Sequence, residues 1–165
     1  MSRTRFVLAV LLTFLIGGAV VHTLVSKPVA PDMTFSTLTG EKIALGDLRG
    51  KVVLVNFWAT TCASCVREMP DMIDTYRTYK ARGFEIIAVA MPYDPPSYVL
   101  KFTQDKQLPF PVALDIKGEA VRAFGNVNLT PTSFLVAKDG KILDKKTGEL
   151  DFVSLKARLD ELLGS

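Results

Sequence analysis

The chain has 165 residues, 48% of them hydrophobic and 22% charged, with a formal net charge of +3, which gives room for one domain with a core of ordinary size. Setting aside Arg3 and Arg5 at the start leaves the rest close to neutral, so charge implies neither a nucleic acid nor an acidic substrate as partner. Cysteine occurs twice, at positions 62 and 65, which excludes a framework of structural disulfides.

The first element is Phe6 to Val25, an apolar stretch of 20 residues whose least apolar member is His22. At about 1.5 Å per residue it is long enough to cross a hydrocarbon core of roughly 30 Å. Arg3 and Arg5 precede it and only Lys27 follows closely, so the amino terminus is expected in the cytoplasm and the domain outside. A cleaved secretory signal shares the basic start and would release a soluble protein. Small residues at −3 and −1 are hard to find after Gly17-Gly18: Ala30 has Pro28 at −3 and Pro31 at +1. A single-span anchor over residues 1–26 is therefore preferred. A buried helix of a soluble domain is the remaining alternative, but this stretch shows no polar face and carries no charge.

Residues 27–33, Pro-containing and polar, suit a linker, and residues 34–165 form the folded domain. Thr34 to Leu38 and Lys42 to Leu45 flank Thr39-Gly40 and predict a small hairpin. Val52 to Phe57 (VVLVNF) is a near-continuous apolar run, the pattern of a central strand covered on both faces. From Cys62 to about Arg82, Val66, Met69, Ile73 and Tyr76 recur at helical spacing, with Pro70 inside predicting a kink. Gly83 closes the helix, and Phe84 to Ala90 is a second buried strand, parallel to the first by its βαβ order. Pro92, Pro95 and Pro96 mark a rigid loop, Tyr98 to Lys106 a helix, Pro109 to Leu114 a short strand, and Gly118 to Phe124 one or two helical turns. Ser133 to Ala137 and Lys141 to Lys146 flank Asp139-Gly140, a hairpin signal. Leu155, Leu159 and Leu162 define a closing helix. There is no internal repeat.

Residues 56–65, NFWATTCASC, carry the chemistry. Two thiols in C-x-x-C spacing at a helix start can close a small disulfide, and the unpaired N–H groups there stabilise the Cys62 thiolate. A purely stabilising disulfide is a poor alternative, since so short a loop contributes only about 2 kcal/mol. A zinc half-site needs two more ligands, and the single histidine lies in the apolar stretch. A two-electron redox pair is the reading that remains.

From Pro31 to Leu163 the chain resembles the thioredoxin superfamily, and within it the membrane-anchored TlpA/ResA-like thiol-disulfide oxidoreductases. NFWATTCASC is similar to the active-site strand and helix start, and Pro70 to the helix proline five positions after the second cysteine. Thr130-Pro131-Thr132 resembles the loop whose cis-proline faces the disulfide, and Pro92 to Gly125 the strand and helix this subgroup inserts. The resemblance implies an α/β fold with a central mixed sheet flanked by helices, an N-terminal β-hairpin and a central strand-helix insertion. It also implies attack by Cys62, resolution by Cys65, a proton-handling carboxylate at Glu68, and substrate contacts from Trp58, Thr130 and Pro131, with neither cofactor nor metal. Two positions depart from the pattern: Thr61 stands where Trp is common, and Asn56 where thioredoxins carry a buried acid. Asn cannot shuttle a proton. Ala63-Ser64 between the cysteines has neither charge nor histidine, which predicts a reducing couple.

The function so implied is an extracytoplasmic oxidoreductase on the outer side of a bacterial cytoplasmic membrane. It would reduce disulfides of exported proteins, often apocytochrome c in related proteins, with electrons from a polytopic membrane thiol carrier. Two alternatives stay open. A thiol peroxidase shares the style of residues 37–60 but wants a Thr three positions before its reactive Cys, where this chain has Ala59. A copper- or partner-binding module of this fold uses a wider cysteine spacing and a distal His.

Overall fold

The computed structural model describes residues 27–164 together with Leu11; the anchor expected over residues 1–26 otherwise lies outside the described residues. Strands β1 (Thr34–Ser36) and β2 (Lys42–Ala44) form the expected hairpin, shorter than its apolar pattern. Strand β3 (Val52–Trp58) is buried along its whole length and leads to helix α1 (Ala63–Tyr79). Then come β4 (Phe84–Ala90), α2 (Pro96–Lys106), β5 (Val112–Leu114), α3 (Glu119–Ala123), β6 (Thr132–Val136), β7 (Ile142–Thr147) and α4 (Phe152–Leu163).

The five main strands lie in the order β5-β4-β3-β6-β7. β3 pairs parallel with β4 and antiparallel with β6, so the sheet is mixed. Alternation on β3 separates two cores. Val52, Leu54 and Trp58 pack with Met69, Met72, Tyr76 and Leu159 under α1 and α4. Val53, Val55 and Phe57 pack on the other face with Phe35, Phe124 and Phe134. Helices therefore cover both faces, which is why the β3 sequence is apolar throughout.

Helix boundaries moved where end chemistry overrode periodicity. Cys62 is the N-cap of α1 rather than its first residue, with φ −88° and ψ 104°. The helix runs through Pro70 and ends at Tyr79. A short 3-10 turn follows, and Gly83 at φ +96° takes the left-handed position that terminates helices. α2 starts at Pro96, two residues earlier than the pattern of Tyr98 to Lys106 suggested, because a proline in the first turn removes an N–H that has no helical partner anyway.

The insertion and the hairpin meet: Leu38 N–H donates to Val112 O at 2.9 Å, and Thr37 bridges Ala113. The linker is not a free tether. Ala30 N–H donates to Gly140 O at 2.9 Å, Ile142 N–H to Pro28 O at 2.8 Å, and Lys27 Nζ to Leu143 O at 2.8 Å. Residues 27–30 thus lie along the β7 edge, with Ala30 buried.

Candidate active site

β3 and β6 run antiparallel, so the end of β3 and the start of β6 share one pole of the sheet, with Phe57 opposite Thr132. Two segments converge there: Ala59 to Cys65, leading into α1, and Leu129 to Thr132, leading into β6. Cys62 and Cys65 are joined by a disulfide, with Cα atoms 5.2 Å apart. Cys62 is half-buried and Cys65 fully buried. Cys62 Sγ accepts a hydrogen bond from Cys65 N–H at 3.2 Å and lies 3.4 Å from Ser64 Oγ. A thiolate at this atom would sit against the open N–H groups and positive dipole end of a 17-residue helix. An external thiolate attacking the disulfide reaches Cys62 and not the enclosed Cys65.

The loop before Cys62 is held from a distance. Asp94, 4% exposed, follows β4 and accepts from both the backbone N–H and the hydroxyl of Thr60. No local pattern could have found this contact between residues 34 apart.

Glu68 lies one helical turn beyond Cys65 and is 4% exposed. Its Oε1 accepts from Asn56 Nδ2 at 3.1 Å and its Oε2 from Leu150 N–H at 3.2 Å. Burial pushes the carboxyl up from 4.5 to about 7; these two donors oppose the shift and the nearby Glu149 charge adds to it. Asn56 stands directly opposite Ser133 in the β3/β6 register, and its Nδ2 also donates to Ser133 Oγ at 2.9 Å. Asn56, marked from sequence only as a residue unable to carry a proton, thus ties the acid to the sheet. Ser133 read only as part of a strand.

The Thr130-Pro131 bond is cis. Pro131 is buried and Thr130 half-buried; among the described residues, Thr130 N–H and C=O have no backbone partner. Gly148 N–H donates to Pro131 O at 2.8 Å, so the loop that caps Glu68 through Leu150 also braces the proline loop. Trp58 differs from its expected place. It is fully buried, packed against Phe102 with ring centroids 5.1 Å apart and the rings tilted by 50°, in the same apolar cluster as Cys65. Its position on the α1 face of β3 gives it no surface toward a docked chain in this state. Among the described residues no three His, Cys, Asp or Glu side chains converge as metal ligands.

A family model, Redoxin, matches residues 24–159. The chain is 38% identical over 176 residues to the thiol-disulfide oxidoreductase ResA of Bacillus cereus, covering 99% of this chain and 97% of that protein. Among solved structures, a thiol:disulfide interchange protein of the thioredoxin family from Chlorobium tepidum superposes with TM-score 0.77 at 27% identity, covering 84% of this chain and 98% of that one. StoA from Bacillus subtilis superposes with TM-score 0.68 at 27% identity, covering 78% and 96%. The central mixed sheet flanked by helices is thus a thioredoxin-like fold.

Proposed function

We propose, for a chain that belongs to the Redoxin family and is a ResA-like thiol-disulfide oxidoreductase, that it works outside the cytoplasm as a reductase of exported proteins. The observation that carries the direction of attack is the asymmetry of the pair, with Cys62 reachable and Cys65 enclosed one turn from a buried carboxyl.

In the reduced enzyme the Cys62 thiolate attacks a substrate disulfide. A Cys62–substrate sulfur bond forms and one substrate thiolate leaves. Cys65 then gives its proton to Glu68 and attacks Cys62 Sγ. The mixed disulfide breaks, the second substrate thiolate leaves, and the pair holds the disulfide with two electrons passed to the substrate. Thr130, with its free backbone groups beside cis-Pro131, holds an extended substrate segment by strand-like pairing. Residues 6–25 anchor the protein in the bacterial cytoplasmic membrane. The resemblance to ResA supports disulfide-bonded apocytochrome c as substrate and a polytopic membrane thiol carrier as electron donor.

Equilibration of the protein with glutathione or dithiothreitol, trapping free thiols, tests this reading. A reduction potential near or below about −270 mV fits a dedicated reductase. One near about −120 mV would reverse the direction and make the protein an oxidant. Location is read separately, by labelling Cys62 in intact cells with a membrane-impermeant maleimide.

A further inference from the structure

The polar groups around Glu68 form a closed set with one member missing. Asn56 is fully buried. Its NH2 group donates twice, to Glu68 Oε1 and to Ser133 Oγ, while its own Oδ1 has no partner among the described residues. Glu68 in turn accepts twice, from Asn56 and from Leu150 N–H. This arrangement suits the ionised acid, whose carboxylate only accepts. It does not suit the protonated acid, whose O–H must donate but faces two donors.

The carbonyl that could receive that proton is already at the site. Turning the Asn56 carboxamide through half a rotation brings Oδ1 to the place of Nδ2, where it would accept from Glu68 O–H. Ser133 Oγ, a hydroxyl, changes from acceptor to donor by rotating its hydrogen. The two settings are not equal. The present one leaves a carbonyl unpaired, whereas the turned one leaves an NH2 unpaired, and buried N–H groups without partners are the rarer of the two.

We propose that Asn56 is a positioning residue that reads the proton on Glu68, holding the ionised carboxylate with its NH2 and turning over, together with the Ser133 hydroxyl, when the carboxyl is protonated. This deepens the reading of Glu68 as the acceptor of the Cys65 proton. It gives the neutral residue at this strand position a task other than shuttling: it biases a deeply enclosed acid toward the form that can take a proton. The charged groups around Glu68 are Glu149 from the loop before α4, itself paired with Arg67 of α1, and the redox pair one turn away. The sheet side contributes the neutral Asn56 and Ser133, with Lys146 of β7 opposite Ser133 in the register.

The test is nuclear magnetic resonance on the full-length disulfide form in detergent, where the cysteines do not titrate. The Glu68 carboxyl carbon and the Asn56 side-chain amide nitrogen are followed against pH. The Asn56 signal is expected to move with the midpoint of Glu68. Asn56→Ala should raise that midpoint by about one pH unit, the tenfold effect of one hydrogen bond to a charged acceptor. Ser133→Ala, which removes the group that holds the amide in register, should raise it by less. An Asn56 amide that stays flat through the Glu68 titration overturns the proposal, as does an unmoved midpoint in either folded variant. If Asn56→Ala does not fold, the wild-type amide and Ser133→Ala decide alone. If the titration shifts but the pH profile of thiol exchange does not follow, the proposal stands and the kinetic role of Glu68 falls.

Discussion

Thr60 and Asp94 meet twice: the backbone N–H of Thr60 reaches Oδ2 and its hydroxyl reaches Oδ1, each at 2.6 Å. Asp94 sits in the loop between β4 and α2, so the inserted part of the domain holds the segment that presents Cys62. Charge-assisted hydrogen bonds are the strong ones. Asp94→Ala should cost about 3 kcal/mol, with Asp94→Asn losing roughly half of that by keeping one acceptor. The denaturant midpoint measures the loss. Reaction of reduced Cys62 with an aromatic disulfide should slow in parallel, and an unchanged rate would mean that the clamp serves folding alone.

The raised pKa of Glu68 makes stability depend on pH. Its ordinary value is 4.5 and its folded value about 7, so between these the folded protein keeps a proton that the unfolded chain has lost. The associated stability is fully present below pH 4.5 and is lost as pH rises through about 7, a total of about 3 kcal/mol. Urea unfolding of the disulfide form at a series of pH values should show this fall. Glu68→Gln should remove it, and a Glu68→Gln curve parallel to wild type would refute the assignment.

Cysteine replacements separate the two thiols. Cys65→Ser should retain attack but not release, and so accumulate a mixed disulfide with a disulfide-containing peptide, seen by mass spectrometry without reductant. Cys62→Ser should accumulate none, because the remaining thiol is enclosed. Equal trapping by both variants would contradict the asymmetry.

Arg67 and Glu149 form an ion pair whose side chains are 65% and 47% exposed. Arg67→Ala should therefore change stability by less than about 0.5 kcal/mol. It should nevertheless move the Glu68 midpoint upward, since the Glu149 charge loses its partner. A large loss of stability with a fixed midpoint would show the pair to be structural.

Much of this fold was legible because its pattern is local. VVLVNF and FEIIAVA have no polar face, and strands so composed must be covered on both sides, as β3 and β4 are. Asp139-Gly140 marked the turn between β6 and β7. The redox pair was legible from its spacing, and cis-Pro131 from the resemblance of Thr130-Pro131-Thr132. What stayed hidden depends on distant partners. Nothing near Asp94 points to Thr60, nor anything near Leu150 to Glu68. Asn56 and Ser133 meet only through the β3/β6 register, 77 residues apart in the chain. The resemblance implies a substrate contact from Trp58, but strand alternation turns its side chain inward, into the cluster under α1.

The docking of residues 27–30 along β7 bears on how the enzyme finds its targets. In the anchored protein we propose, the domain has almost no leash, because the stretch that would serve as one is spent on the sheet edge. The active pole is then carried at a nearly constant height above the lipid and sweeps a thin layer as the anchor diffuses. Encounters become a search in two dimensions, favouring targets that are themselves confined to that layer over those free in the surrounding fluid.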